Sequence, residues 1–154
     1  MTRFLLACLP VLFVACASSR LPNADAAGLQ IEKVFEDFNA CKTSELIARY
    51  SDSDLVFFTG GTERPVTSHA ELREYFSYLT AQPCSDPAAP KHTNIKLQVR
   101  PVAAGVAVVH ANTVVTFVHQ GASQQRPFFF TFVLRESAGQ WLVISQNAQA
   151  VSQN

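Results

Sequence analysis

The chain has 154 residues, 12 Lys and Arg against 12 Asp and Glu, and a hydrophobic share of 48% that includes 12 phenylalanines. This is about one domain's worth of sequence, apolar enough to bury a real core. It lacks the basic excess expected of a nucleic-acid binder or of a patch that docks on anionic lipid.

The leader comes first. Met1-Thr2-Arg3 is a short positive region, and Phe4 to Val14 is almost unbroken apolar sequence. That is the pattern of an export signal. It falls short of the roughly 20 apolar residues that span a bilayer, and no later stretch is long and apolar enough for a membrane helix. Two processing sites stay open. Phe13-Val14-Ala15-Cys16 resembles a bacterial lipobox, with Phe13 where Leu is usual, so residues 1–16 would be removed and Cys16 lipidated. Ala15-Cys16-Ala17 is also an ordinary small-x-small cleavage site, whose use would release a soluble periplasmic protein. In the lipidated case Ala17, rather than Asp, follows the cysteine. By resemblance to lipoproteins this points to the outer membrane, facing the periplasm. Residues 17–26 then read as a tether, and 27–150 as the domain.

Loss of Arg3 with the leader leaves 11 basic against 12 acidic residues. Cys8 leaves as well, and Cys16 is the lipidation candidate. Cys41 and Cys84 remain as an even pair in an oxidising compartment, and a disulfide between them is expected. In the chain-entropy picture it would add roughly 4 kcal/mol. Two cysteines without a nearby histidine pair do not have zinc spacing, so neither a metal nor another cofactor is expected.

Along the domain, Leu29, Ile31, Val34, Phe35 and Phe38 recur at helical spacing over 27–40. Thr43 can cap a second short helix with Leu46, Ile47 and Tyr50 on its apolar side. Ser51 to Asp54 is turn chemistry, and Leu55 to Thr59 reads as a strand stopped by Gly60-Gly61. Ser68-His69-Ala70-Glu71 is a capping box opening a third helix, with Leu72, Tyr75, Phe76 and Leu79 on one face. Glu63 and Arg64 before it are expected to form a surface pair. Residues 80–90 hold three prolines and form a loop. Four long strands follow, at 92–102, 105–119, 126–136 and 140–150, separated by short turns. The expected fold is α+β, with N-terminal helices packed on a curved antiparallel sheet.

Several local sequences resemble one superfamily. Asn39-Ala40, Leu46-Ile47-Ala48-Arg49-Tyr50 and Asp54-Leu55-Val56-Phe57 resemble the helix–helix–strand opening of nuclear transport factor 2-like, or SnoaL-like, domains. His92-Thr93-Asn94-Ile95 and Gly139-Gln140-Trp141-Leu142-Val143 resemble the branch containing the calcium/calmodulin-dependent kinase association domain. The resemblance implies a cone-shaped sheet with a cavity against the helices, and a homodimer through the other sheet face. It includes isomerases, dehydratases and members that only bind, so fold does not decide function.

The resemblance also locates positions. The carboxylate base of the ketosteroid-isomerase branch falls on Thr59 and its phenol donor near Val34; neither can do that chemistry. The pocket positions of the kinase-association branch fall on Thr113, Phe130, Phe132, Ser145 and Asn147, with Thr113 and Phe132 standing where arginine is common. Tyr75 is a further core or rim candidate. Alternation places Phe128, Phe130 and Phe132 on one face. They either wall an apolar site oriented by Thr113, Ser145 and Asn147, or fill the cone.

None of the four histidines has an identifiable carboxylate partner for acid–base work. His92 reads as a structural residue at a sheet edge. His110 and His119 face opposite sides of one strand, and His69 reads as solvated. No catalytic residue is assigned. The leading expectation is non-catalytic binding of a small, largely apolar molecule, or an envelope accessory role. The alternatives are a SnoaL-like isomerase or lyase, and an interaction module with a filled cone.

Overall fold

A computed structural model describes residues 24–59, 64–79, 84–86 and 88–151. The expected export signal and Cys16 lie outside the described residues, as do Gly60, Gly61 and Glu63. Helix α1 runs Ala24–Asn39, α2 Thr43–Ile47 and α3 His69–Leu79. The strands are β1 Val56–Thr59, β2 Lys91–Ala103, β3 Val106–His119, β4 Ala122–Ser137 and β5 Gln140–Ala150. The expected tether overlaps the start of α1. Residues 24–27 are Ala-Asp-Ala-Ala, three good helix formers and an acid suited to a first turn.

One five-stranded sheet has the order β1-β5-β4-β3-β2. Strands β2 to β5 form an antiparallel meander, while β1 joins the edge parallel to β5, with Phe57 opposite Gln146. The sheet is therefore mixed at one edge. Gln120-Gly121 and Ala138-Gly139 both turn with positive φ at each residue, the geometry that matches strand twist in two-residue hairpins. These turns are tighter than the sequence suggests, so β4 already begins at Ala122.

The helices lie on one face of the sheet. Ile31, Val34 and Phe35 of α1, Leu72 and Phe76 of α3, and the inward residues of β3 and β4 make one core. Gly28 is the close approach of α1 to the sheet: a Cβ there would stand 3.1 Å from Val99 Cγ2.

Helix α1 ends in a Schellman-type turn, with Lys42 N bonded to Asp37 O at 2.8 Å and Cys41 N to Phe38 O at 3.0 Å. Cys41 occupies the left-handed position, with φ 51°. It is disulfide-bonded to Cys84, Cα to Cα 5.8 Å, so the bond ties the end of α1 to the loop before β2. The Asp37 carboxylate, buried, accepts from Arg49 Nε at 2.9 Å and joins α1 to the segment after α2.

The α3 cap is the expected box displaced by one residue. Ser68 Oγ accepts from Glu71 N at 3.2 Å, but the Glu71 carboxylate reaches Thr67 N, at 2.8 Å. That backbone bond holds the Glu71 carboxyl below its ordinary range. Arg64 pairs with Glu71 at 2.8 Å, and the expected pairing with Glu63 lies outside the described residues. The compact cap offers Arg64 a carboxylate already fixed in place.

Candidate functional site

The cone is not filled. A cavity of about 220 Å³, partly open to solvent, lies between the helices and the inner sheet face. From α1 come Val34, Phe35 and Phe38; from α3, Tyr75, Phe76 and Leu79; Leu46 and Tyr50 close the α2 side. The sheet contributes Phe57, His92, Val115, Phe128, Phe130, Phe132, Gln146 and Ala148, and Pro90 stands before β2. Among the described residues none that lines it is Asp, Glu, Lys or Arg.

Alternation in β4 places the phenylalanine wall as the sequence pattern implies. Phe130 and Phe132 stack at 5.8 Å with planes 8° apart, and Phe128 lies 6.0 Å from Phe130. Phe35 meets Phe130 and Phe132 edge-on from α1. Offset and edge-to-face contacts of this kind favour fixed ring positions. Rings held this way leave the space between them open.

The expected polar set is rearranged. Phe130, Phe132 and Tyr75 line the cavity. Thr113 is buried on the inner face but sits behind His92, its Oγ1 3.0 Å from His92 Nδ1. Ser145 and Asn147 do not face the cavity. They pair with Val133 and Thr131, which are outer-face residues of β4. A bulge causes this: Val133 pairs with Ser145 but Leu134 with Val143, so Ile144 is extra and inward parity reverses. Trp141 and Val143 point inward before the bulge, Gln146 and Ala148 after it. The four consecutive apolar residues Trp141-Leu142-Val143-Ile144, which interrupt the alternation, are the sign of the break in the sequence.

Gln146 is thus the polar group that β5 delivers. It is 5% exposed, and its Oε1 accepts from Tyr50 Oη at 2.6 Å. Burial, then the nearby Tyr75, pushes the Tyr50 phenol far above its ordinary range, so Tyr50 stays a neutral donor. Tyr50 is itself wedged against Phe57 and Phe76. His92 is the second polar group. Its ring packs 5.0 Å from Phe35 and from Phe38 and 5.4 Å from Phe130. Burial lowers its pKa from 6.5 to about 4, so it is neutral at neutral pH. Asn39 fixes its backbone: Asn39 Oδ1 accepts from His92 N and Asn39 Nδ2 donates to His92 O, each at 2.8 Å. The amide acts as one residue of a neighbouring strand. The sheet-edge bonding expected of His92 is therefore real, but the ring also belongs to the cavity.

The other histidines are elsewhere. His110 is on the outer face, 3.2 Å from Thr131 Oγ1 and stacked on Phe129. His69 is not simply solvated. Its Nε2 lies 2.8 Å from the Tyr50 carbonyl oxygen, which can only accept, so that nitrogen carries the proton. Among the described residues no cluster of His, Cys, Asp and Glu could hold a metal ion.

The sequence profile of the SnoaL-like domain matches residues 30–148. The chain belongs to the SnoaL-like family. No curated protein matches it. Among solved structures it is similar to a nuclear transport factor 2-like protein with a cystatin-like fold from Novosphingobium aromaticivorans, with TM-score 0.68, 12% identity, and 84% of this chain and 82% of that one covered. It is similar to a ketosteroid isomerase-like protein from Erwinia carotovora atroseptica, with TM-score 0.68, 18% identity, and 86% and 98% covered. It is also similar to the hub homology domain of the calcium/calmodulin-dependent kinase from Chlamydomonas reinhardtii, with TM-score 0.66, 18% identity, and 84% and 98% covered. At these identities the likeness establishes the nuclear transport factor 2-like fold and no particular activity.

Proposed function

We propose that this SnoaL-like protein is an exported binding protein that holds a small, largely apolar molecule in its cone without transforming it. The observation that carries the reading is the lining itself: aromatic on nearly every side and, among the described residues, free of formal charge, with His92 and Gln146 as polar side chains beside Tyr50 and Tyr75. Isomerase or lyase chemistry needs a group that takes a proton near neutral pH. Among the described residues the lining holds no carboxylate, His92 keeps little affinity for a proton, and Tyr50 keeps its own.

The leader supports export, with lipidation at Cys16 and an outer-membrane anchor, or cleavage after Ala17 and a soluble periplasmic form. Assembly as a homodimer through the outer sheet face completes the reading. That face carries Val56 and Phe58, 39% and 46% exposed, beside the half-buried Val108, Phe129 and Val133.

Native mass spectrometry of the mature protein purified from a bacterial envelope tests these points together. An apolar adduct on a disulfide-bonded dimer, with a diacyl mass at Cys16, is the expected spectrum. A protein that stays empty when supplied with small aromatic molecules would overturn the binding reading.

A further inference from the structure

The cavity's size, charge and one locked amide narrow the ligand further. This step rests on the binding reading above. An apolar cavity of roughly 150 Å³ is known to hold benzene. In proportion, the 220 Å³ here fits about nine non-hydrogen atoms, one ring with a short arm. A long acyl chain or a four-ring skeleton exceeds it. An ionised ligand would meet no counter-charge among the described residues of the lining, which is heavily penalised.

The amide supplies direction. Gln146 Oε1 is taken by the Tyr50 hydroxyl at 2.6 Å, and the phenol is held by Phe57 and Phe76. Turning the amide over would leave the buried Tyr50 proton without its acceptor, so Oε1 is held toward Tyr50 and Nε2 away from it. Its Nε2 has no hydrogen-bond partner among the described residues. No fully buried side-chain nitrogen or oxygen there lacks a partner, so Nε2 must reach accessible space, and Gln146 lines the cavity. The site thus presents a fixed donor in an apolar wall. A site built around one polar group discriminates sharply against a ligand that leaves that group unpaired.

We propose that Gln146 is the specificity-determining residue of the cavity, and that the ligand is a neutral, single-ring-sized molecule whose carbonyl or ether oxygen accepts from Gln146 Nε2. Tyr50 acts as a positioning residue through Gln146.

Four probes separate the possibilities: acetophenone, isopropylbenzene, benzoate and palmitate. The first three have the same heavy-atom count and differ in polarity and charge. Titrations of the mature, disulfide-bonded protein followed by amide NMR should give acetophenone about tenfold tighter than isopropylbenzene, the worth of one well-placed hydrogen bond. Benzoate and palmitate should bind weakest. Gln146→Leu should bring acetophenone down to the level of isopropylbenzene and leave isopropylbenzene within about twofold, a split that a merely structural role would not produce. Tyr50→Phe, which frees the amide to turn, should shrink the same preference, and it carries the test if Gln146→Leu does not fold.

Equal binding of acetophenone and isopropylbenzene to the native protein would overturn the proposal. So would equal losses of both in Gln146→Leu, an undiminished preference in Tyr50→Phe, or benzoate or palmitate binding most tightly. In the first three cases binding of a small apolar molecule would still stand, whereas benzoate or palmitate binding most tightly would count against that reading as well. Absence of binding by all four would overturn both readings.

Discussion

His92 makes the stability of this domain acid-sensitive over a defined window. An ordinary imidazole titrates near 6.5, whereas burial among Phe35, Phe38 and Phe130 lowers His92 to about 4. As pH falls through 6.5 the unfolded chain gains a proton that the folded chain refuses. Stability therefore drops between 6.5 and about 4 and levels off below, where both states are protonated. The gap corresponds to about 3 kcal/mol. Urea unfolding of the oxidised mature protein at a series of pH values measures it. His92→Gln, which keeps a hydrogen-bonding group beside Thr113 and cannot titrate, should show a curve flatter by that amount. Exposed carboxylates such as Asp54 and Glu71 are common to both proteins and cancel in the difference. Parallel curves for the two proteins would refute the reasoning, because the proton uptake would then belong to another group.

Other perturbations follow from the same contacts. Asn39→Ala removes both bonds to the His92 backbone and should lower stability by about 2 kcal/mol in denaturant unfolding, with extra amide exchange at the start of β2. Phe132→Ala empties a site that is 1% exposed and ringed by Phe35 and Phe130, and should lose about 3–5 kcal/mol by the same assay. Val108→Lys sets a charge in the outer face and should convert a dimer to a monomer by light scattering while leaving cavity binding unchanged.

The sequence carried most of the scaffold because helix and strand periods are local. Ile31, Val34, Phe35 and Phe38 of α1 and the alternating phenylalanines of β4 each specify a face without help from distant residues, although Leu29, expected on the same helix face, stands 56% exposed. The polar half of the site was less legible, for a physical reason. A strand's inward parity survives only until a bulge, and the single extra residue at Ile144 exchanged Ser145 and Asn147 for Gln146. Tyr50 shows a second limit. Periodicity puts its ring on the apolar side of the second helix, but α2 ends at Ile47 and Tyr50 instead bridges to Val143, while its hydroxyl finds its partner 96 residues away, a pairing that only the closed sheet creates.

A hollow cone has a stability cost, and this bears on why the cavity end of α1 is tethered to the strand beside it. At about 24 cal/mol per Å³, a closed and dry cavity of 220 Å³ would cost on the order of 5 kcal/mol relative to a filled core, which is the upper bound for this partly open one. The Cys41–Cys84 bond closes a separation of 43 residues, which contributes about 4 kcal/mol by restricting the unfolded chain. It offsets most of that cost without placing any atom in the cavity. The two terms make a joint prediction. Reduction should lower stability by about 4 kcal/mol, and a cavity ligand at a hundred times its Kd should restore about 2.7 kcal/mol, because it binds only the folded state. Thermal unfolding of oxidised and reduced protein, each with and without acetophenone, reads both numbers. If acetophenone raises Tm in neither redox state, the cavity is not the binding site. If it raises both alike while reduction alone costs nothing, the disulfide does not offset the void, and the stability must come from the Asp37–Arg49 pair and the Asn39 clamp instead.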